Sequence, residues 1–482
     1  MNYSDSARIK AILTNAWFSY TDDMTSADIV IYDTCSVRQK SEDKVFGALL
    51  EVKPFQRVWM TGCMVQHYLK TAKVVKYRDK KEQRALQLGN FVGGVKTTDP
   101  VIIGLERDDL EGHEKFDSPT GDYAFVNYAF DPLFHKVNMK FPNVELFFRI
   151  DDVGLLPRFA ARLGYTVAGD VELTNEYSSI IPHGTNQLFK ENTKTAYVPI
   201  STWCNQFCAY CIVPYSRWLE KNRPIDEIIT EVKYHLSEGA EEIVLLGQIV
   251  NKHPDFVAIL RQILSLEWLR RLRYTSPYPT YFPKELLELH EKEEKLCPHI
   301  HMPLQSWSDT ILKSMFRGYS VAHYRKFIDN IRALQRPISI TTDIIVGFCG
   351  ETEEDFLWSM ELMEYARFDM VYMGIYSPRP WTIAAKKLKD DVPRDVKKER
   401  RNRMNDLLRR TSEENNQAEI GSVREMMVNK VTDAFISWYT DNMKNVIVNN
   451  ESRQWKEIRL GDFVKVEIIS VEPMKLFATL LS

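Results

Sequence analysis

Glycine is scarce in this chain, which has 20 glycines among 482 residues, whereas an average protein has about 7%. No apolar run reaches the roughly 18 residues that a membrane span needs. Residues 1–8 lack the basic segment and apolar stretch that open a secretory signal. The formal net charge is only −3, so any RNA contact must come from local basic patches. We therefore expect a cytoplasmic protein that does not contact the membrane.

The chain has seven cysteines, most of them in motif-like settings, which favours reduced thiolates that bind metal over disulfides. Cys204, Cys208 and Cys211 follow a Cys-x3-Cys-x2-Cys spacing. A [4Fe–4S] cluster ordinarily takes four thiolates, so three would leave one iron with an open position for a small molecule. The alternative is a zinc site, which needs a fourth ligand nearby. The next candidate, His235, lies well downstream in a charged, helix-like stretch.

The amino-terminal part alternates helix and strand patterns. Buried strands are predicted at residues 27–34 and 58–61, and they lead into Cys35 and Cys63. Open α/β sheets bind ligands at the carboxyl ends of their strands, so two such ends favour a metal site. The alternative is a structural role for each cysteine. Between residues 67 and 140 the periodicity weakens, which predicts an inserted subdomain or a long surface excursion. A strand over 142–148 and a helix over 155–163 follow.

Six strands alternate with helices in the middle of the chain, which predicts a partly closed parallel (β/α) barrel. The predicted strands are residues 196–200, 242–246, 272–275, 299–304, 338–346 and 370–376. The three-cysteine loop follows the first strand, at the face where such barrels place their active sites. A basic helix is predicted over 397–410. Residues 421–482 read as short strands separated by turns, which is typical of a small β-barrel.

Several motifs together resemble the radical S-adenosylmethionine methylthiotransferases, and in particular their MiaB branch, which modifies tRNA. The resemblance covers most of the chain outside residues 67–140, and the tail is similar to the RNA-binding TRAM domain. It implies an amino-terminal methylthiotransferase domain over 1–175, a radical domain over 190–417 and a TRAM domain over 418–482. The motifs are the three-cysteine loop, Asp33-Thr-Cys35-Ser-Val-Arg38, Thr61-Gly-Cys63, Gly247-Gln248-Ile-Val-Asn251, His301-Met-Pro-Leu-Gln-Ser306, Thr342-Asp343-Ile-Ile-Val-Gly347 and Tyr376-Ser-Pro-Arg-Pro380.

The resemblance implies a transferase that methylthiolates carbon 2 of N6-isopentenyladenosine next to the tRNA anticodon. Cys204, Cys208 and Cys211 would hold a [4Fe–4S] cluster that cleaves S-adenosylmethionine reductively. Cys35 and Cys63 would hold a second [4Fe–4S] cluster that supplies the sulfur. The resemblance also implies an electron donor such as flavodoxin or ferredoxin, and a monomer. Alternative acceptors are threonylcarbamoyladenosine and a ribosomal protein. A third alternative is a cluster-bearing RNA-binding protein without turnover.

The resemblance also implies roles for residues other than the cysteines. The resemblance places these further residues beside the cofactor: Tyr210, Gly247, Gln248, Asn251, Asp343 and Gly347. For each of them the alternative is packing of the barrel core and its loops. Arg217 and the basic helix are candidate phosphate contacts, and a solvated charged face is the alternative for the helix.

The sequence departs from the family pattern in two ways. First, the family has a further cluster cysteine just before the position of Met1, so either the true start lies upstream or the second cluster is compromised; we favour the upstream start. Second, tryptophan stands where the family has glycine, at Trp203, Trp218, Trp307 and Trp381, and also at Trp17, Trp268 and Trp438. Glycine at turns provides positive φ or close backbone approach. We therefore hypothesise that the gene reads UGA as glycine, and we expect genuine tryptophan at positions 203 and 307 to impair activity.

Overall fold

The computed structural model describes residues 2–34, 39–65, 101–104, 115–116, 123–126, 141, 143–148, 150–167, 194–216, 220–449 and 458–481. It separates into two compact units, Met1–Leu188 with Ile212–Trp218, and Phe189–Cys211 with Leu219–Ser482. Cys35, Arg217, Trp218 and most of the predicted insertion lie outside the described residues. Within those residues, no helix combines the length and the apolarity that crossing a bilayer requires.

The first unit contains a parallel sheet with strand order β1-β2-β6 and a small antiparallel sheet with order β3-β5-β4. The strands are β1 (Ile29–Thr34), β2 (Arg57–Gly62), β3 (Val101–Gly104), β4 (Lys115–Phe116), β5 (Tyr123–Val126) and β6 (Val144–Phe147). The helices are α1 (Asn2–Asn15), α2 (Gln39–Leu49), α3 (Leu156–Arg162) and α4 (Val213–Ser216), with a 3-10 helix over Ile150–Leu155. The predicted strands at 27–34, 58–61 and 142–148 and the helix at 155–163 are therefore confirmed. The antiparallel sheet lies within the predicted insertion.

The second unit is organised around six parallel strands. They form two three-stranded sheets, β7-β10-β11 and β12-β13-β14, and a parallel bridge between Leu272 and Leu296 continues the first toward the second. The six strands are β7 (Thr195–Pro199), β10 (Glu242–Leu246), β11 (Arg271–Tyr274), β12 (His299–His301), β13 (Ser339–Val346) and β14 (Met370–Ile375). Between β7 and β10, the short strands β8 (Ser201–Thr202) and β9 (Lys221–Asn222) form a separate antiparallel pair. All six barrel strands predicted from the sequence are present, which confirms the α/β fold with a partial (β/α)6 barrel.

Helices cover the outside of the barrel because each has one apolar face. On the first of them, α5, Ile228, Val232 and Leu236 are buried at a spacing of four residues and join a core with strands β7 and β10. The helices are α5 (Ile225–Ser237), α6 (Phe256–Leu264), α7 (Lys284–Lys292), α8 (Asp309–Ser314), α9 (Val321–Arg332), α10 (Glu353–Ala366), α11 (Ile383–Lys387) and α12 (Arg394–Gln417), with 3-10 helices over Val250–Lys252 and Pro279–Tyr281. A capping box between Thr352 and Asp355 fixes the start of α10, because it satisfies backbone donors that the helix leaves unpaired.

The carboxyl-terminal part folds into a curled six-stranded sheet with the order β15-β19-β20-β18-β17-β16. The strands are β15 (Val423–Met427), β16 (Lys430–Val431), β17 (Phe435–Tyr439), β18 (Asn445–Asn449), β19 (Phe463–Glu472) and β20 (Lys475–Leu480). A bridge between Met426 and Thr440 joins β15 to the end of β17, so the sheet curls around its own apolar core. This curled sheet agrees with the predicted small β-barrel.

Candidate active site

The three-cysteine loop begins where the first barrel strand ends. After β7, the short strand β8 pairs in antiparallel fashion with β9, so that Thr202 lies opposite Lys221. Cys204 comes two residues after this pair. The loop therefore leaves the barrel at the carboxyl end of its strands, as the sequence predicted.

Backbone hydrogen bonds hold the middle of the loop. The Ala209 N–H donates to the Met315 carbonyl at 2.9 Å, and the Ala384 N–H donates to the Ala209 carbonyl at 2.8 Å. Ala209 is completely buried. A further bond of 2.9 Å from the Cys211 N–H to the Cys208 carbonyl closes a turn. These backbone hydrogen bonds therefore fix the segment that carries Cys208 and Cys211.

A guanidinium group lies beside the central cysteine. Arg317 Nη1 is 3.6 Å from Cys208 Sγ, and its Nη2 donates to the Pro303 carbonyl at 2.8 Å. The same guanidinium stacks over the rings of Tyr278 and Tyr319, at 4.5 and 5.0 Å from their centroids. A fixed positive charge at this distance stabilises negative charge on sulfur.

The donor chemistry of the loop fits an iron–sulfur cluster. All three cysteines are free thiols, with Cys208 buried and Cys204 and Cys211 partly buried. Burial raises the pKa of the Cys204 thiol to about 11, so its thiolate form needs a metal ion to compensate. In the described part of the chain, no three His, Cys, Asp or Glu side chains converge closely enough to hold a metal ion. Cys204, Cys208 and Cys211 therefore do not form a closed metal site by themselves, and their role as cluster ligands stays a prediction.

The segment Gly247-Gln248-Ile-Val-Asn251 follows strand β10 and lies against the start of the loop. A Cβ at Gly247 would come 2.6 Å from Ser201 Oγ, so the close approach to β8 requires glycine. Gln248 is exposed. Asn251 is buried, and its amide donates to the Tyr278 carbonyl at 2.9 Å and accepts from the Tyr278 N–H at 2.8 Å. Asn251 therefore fixes the loop after β11, and its predicted place beside the cofactor stays a prediction.

Asp343 and Gly347 lie on β13 and just after it. Gly347 has φ +71°, and a Cβ there would come 2.3 Å from Lys397 Cγ, so glycine is required. The neighbouring Phe348 ring makes an edge contact with Tyr210, with 6.4 Å between centroids. The structure therefore brings Tyr210 of the cysteine loop together with the segment that follows β13.

A cavity of about 400 Å³ lies inside the barrel, between its strands and the curled sheet. The side chains that line it include Thr195 and Tyr197 on β7, Glu242 and Val244 on β10, His299 and His301 on β12, and Arg273, Thr341 and Tyr372. Several of them alternate along their strands, as inward-facing positions do. That alternation is the signal that could have revealed them.

Hydrogen bonds order part of this cavity. Thr341 Oγ1 lies 3.0 Å from His299 Nε2 and 2.9 Å from His301 Nδ1, and His301 Nε2 lies 3.3 Å from the Asp343 carboxylate. Burial lowers the pKa of His299 well below its ordinary value, so His299 is neutral. The Thr341 hydroxyl has one proton, so it donates to at most one of the two imidazole rings. This series of hydrogen bonds orients the Asp343 carboxylate.

Cys63 follows β2 directly and is buried. Because Thr34 and Gly62 are paired in the parallel register, β1 and β2 end at the same edge of the sheet. Cys35 lies outside the described residues. Their joint role as cluster ligands stays a prediction.

The basic helix predicted over 397–410 is part of α12, and two of its cations face inward. Arg400 is buried and donates to Glu351 at 2.8 Å, and Lys397 is buried and pairs with Asp390. Arg403 pairs with Glu353 at 2.7 Å. Only the outward face of α12 can therefore contact phosphate.

Comparisons with known proteins agree with this architecture. Residues 198–363 match the Radical SAM superfamily, and residues 1–81 match a family described as Uncharacterized protein family UPF0004. The chain is 32% identical to the tRNA-2-methylthio-N(6)-dimethylallyladenosine synthase of Dictyoglomus thermophilum, over 97% of this chain and 93% of the relative. It is 30% identical to the synthase of the same name from Carboxydothermus hydrogenoformans, over 97% and 94% of the two chains.

Among solved structures, the chain is similar to the radical S-adenosylmethionine methyltransferase TsrM from Kitasatospora setae. The TM-score is 0.44 at 12% identity, over 76% of this chain and 67% of that one. By its near full-length identity to the two synthases, the chain belongs to the tRNA-2-methylthio-N(6)-dimethylallyladenosine synthase family of radical S-adenosylmethionine enzymes.

Proposed function

We propose that this chain methylthiolates carbon 2 of N6-isopentenyladenosine next to the anticodon of tRNA. One observation carries the proposal. The loop of Cys204, Cys208 and Cys211 leaves the carboxyl end of the first strand of a six-stranded barrel, in a chain that is 32% identical over nearly its whole length to a synthase of that name. Anticodon loops are single-stranded, so their bases can be turned out into a protein pocket.

The three thiolates of this loop would hold a [4Fe–4S] cluster that binds S-adenosylmethionine. When bound, these groups supply the reactivity that an aromatic C–H bond lacks toward acid–base chemistry. The chain's own contribution is placement and charge. Ala209 fixes the loop through its backbone, and the Arg317 guanidinium, 3.6 Å from Cys208 Sγ, offsets the negative charge of the thiolates.

A second cluster on Cys35 and Cys63 would supply the sulfur. The position of Cys63, at the sheet edge where β1 and β2 end together, supports this role. The curled carboxyl-terminal sheet would contact tRNA. Its residues 418–482 hold 8 Lys and Arg against 9 Asp and Glu, so shape and single basic residues, rather than net charge, must provide that contact. We further propose a monomer in the cytoplasm that takes electrons from a flavodoxin or ferredoxin.

The test is expression of the chain with Trp203→Gly and Trp307→Gly, because tryptophan at these two positions is expected to impair activity, in a bacterial strain without a methylthiotransferase of its own. Mass spectrometry of tRNA nucleosides is the readout. We expect 2-methylthio-N6-isopentenyladenosine with the unaltered cysteines and none with Cys208→Ala. Methylthiolation of threonylcarbamoyladenosine or of a ribosomal protein instead would replace the proposal with one of the alternative acceptors. Iron analysis completes the test, because two cubane clusters hold about eight irons per chain and one holds about four.

A further inference from the structure

Three tryptophans have a backbone conformation that suits glycine. The φ angles of Trp17, Trp203 and Trp381 are +75°, +70° and +76°. In this left-handed region the Cβ of an L-residue approaches the following carbonyl, at a cost of roughly 1–2 kcal/mol per residue. For a bulky side chain such an angle is a genuine outlier.

The frequency of these outliers among the tryptophans is far above expectation. The chain has ten tryptophans, and eight remain after Trp218 and Trp455, which lie outside the described residues. Three of these eight have positive φ, against a few per cent of non-glycine residues in general. Phe207 and Phe316 also have positive φ, so a single bulky residue with this angle does not indicate a replaced glycine. The evidence is that such angles are concentrated among the tryptophans.

The end of α1 shows what Trp17 replaces. The Trp17 N–H bonds to the Thr14 carbonyl at 3.2 Å, and the Phe18 N–H bonds to the Leu13 carbonyl at 2.9 Å. These two bonds define the Schellman motif, in which the left-handed residue is usually glycine. The chain ends α3 and α5 with the same pair of bonds, and there the left-handed residues are Gly164 and Gly239.

Other tryptophans use their side chains. Trp59 is fully buried, its Nε1–H donates to Glu145 at 2.8 Å, and its ring makes an edge contact with Tyr165. Trp17 is 73% exposed to solvent, and Trp381 is 47% exposed with Lys386 Nζ 5.4 Å from its ring centroid. Trp203 is buried directly before Cys204, so it combines the disfavoured angle with a large side chain beside the cysteine loop.

We infer that positions 17, 203 and 381 are glycine in the protein made by its own host, each encoded by UGA, and that glycine at 203 is a positioning residue for the cysteine loop. The low glycine content of the chain, 20 in 482, agrees with this. The assignment of glycine does not depend on the reaction proposed above, because it concerns backbone conformation alone. The positioning role at 203 rests on the cluster of the proposed function. For Trp268, Trp307 and Trp438, φ is not positive, so the backbone makes no argument at those positions.

The gene and the native protein give the first test. We expect UGA at codons 17, 203 and 381, UGG at codon 59, and peptides from the native host that carry glycine at the first three positions and tryptophan at 59. UGG at the three codons, or tryptophan in the corresponding peptides, would overturn the inference.

A second test separates backbone strain from side-chain bulk. Trp17→Gly removes an exposed tryptophan with positive φ, and Trp268→Gly is the matched control because Trp268 is 68% exposed without positive φ. We expect Trp17→Gly to raise the folding equilibrium constant about tenfold and Trp268→Gly not to raise it. Equal effects of the two substitutions would contradict the assignment at position 17.

At position 203 the readout is the cluster itself. We expect Trp203→Gly to retain more iron and to show a stronger cluster absorbance and reduced-cluster EPR signal than the tryptophan form. Trp203→Ala removes the ring but keeps a Cβ at positive φ, so it should fall between the two. If Trp203→Ala equals Trp203→Gly, side-chain bulk and not glycine conformation matters there, and the positioning role is refuted.

Discussion

The guanidinium of Arg317 lies 3.6 Å from the sulfur of Cys208 and stacks on the ring of Tyr278. The two residues are 109 positions apart in the chain, and each approaches from a different barrel loop. A fixed positive charge at this distance attracts the negative charge that a cluster with thiolate ligands would carry.

We therefore expect Arg317→Gln to weaken the cluster. Changes to groups next to metal ligands typically reduce metal affinity 10–100-fold, so the variant should lose iron at chelator concentrations that the unaltered chain tolerates. The control is Arg325→Gln, because Arg325 also stacks on a tyrosine, Tyr365, but belongs to an exposed face of α9. Equal iron retention by both variants would show that Arg317 acts on the fold rather than on the cluster.

Arg273 joins the barrel to the curled sheet. It is buried, pairs with Glu242 at 3.1 Å, and donates to the Thr440 and Asp441 carbonyls at 2.9 and 2.8 Å. We expect Arg273→Gln to lower the free energy of unfolding by about 3–5 kcal/mol, because it leaves Glu242 buried without its charge partner. Arg270→Gln, which removes a more exposed ion pair to Glu425, should cost about 1 kcal/mol or less. Urea unfolding of both variants measures the difference, and equal losses would contradict the buried-anchor role.

The sequence places both Asn251 and Gln248 beside the cofactor, whereas the structure buries Asn251 and leaves Gln248 exposed. Asn251→Ala removes both hydrogen bonds to the Tyr278 backbone and should lower the free energy of unfolding by about 2–3 kcal/mol, because it leaves buried backbone groups unpaired. Gln248→Ala, on an exposed side chain, should leave stability unchanged and raise the KM for S-adenosylmethionine. Thermal unfolding and steady-state kinetics measure the two effects. If Asn251→Ala instead raises the KM for S-adenosylmethionine without any loss of stability, Asn251 contacts the cofactor directly.

Glu351 makes stability depend on pH near neutrality. Burial raises its pKa to about 7 from 4.5, although the Gly347 N–H and Arg400 both favour its charged form. Between these two pH values the folded chain binds the proton that the unfolded chain has lost, so stability falls as pH rises from about 4.5 to 7, by at most ~1.4 kcal/mol per pH unit. Glu351→Gln should flatten this part of the profile, while Glu361→Gln on the exposed face of α10 should leave it in place. Urea unfolding at several pH values is the measurement, and an unchanged slope in Glu351→Gln would contradict it.

The sequence by itself determined the elements and the chemistry of the cysteine loop. Strand and helix periodicity is local, so all six barrel strands could be placed within a few residues of their observed bounds. The spacing of Cys204, Cys208 and Cys211 is equally local, and it predicted three cluster ligands without any knowledge of the fold. The inferred glycines could also be suspected from the sequence, because tryptophan stands at turn positions where the family has glycine.

Only the tertiary structure decided which distant groups meet. It placed Arg317 against Cys208, Arg273 against Thr440, and Asn251 against the Tyr278 backbone. It also buried Lys397 and Arg400, which belong to a helix that the sequence offered as a candidate phosphate contact. It also gave Trp17, Trp203 and Trp381 their positive φ angles. The physical reason is that periodicity reports which side of its own element a residue occupies. Which groups lie opposite that side depends on strand order, loop closure and packing, and these are properties of the whole fold.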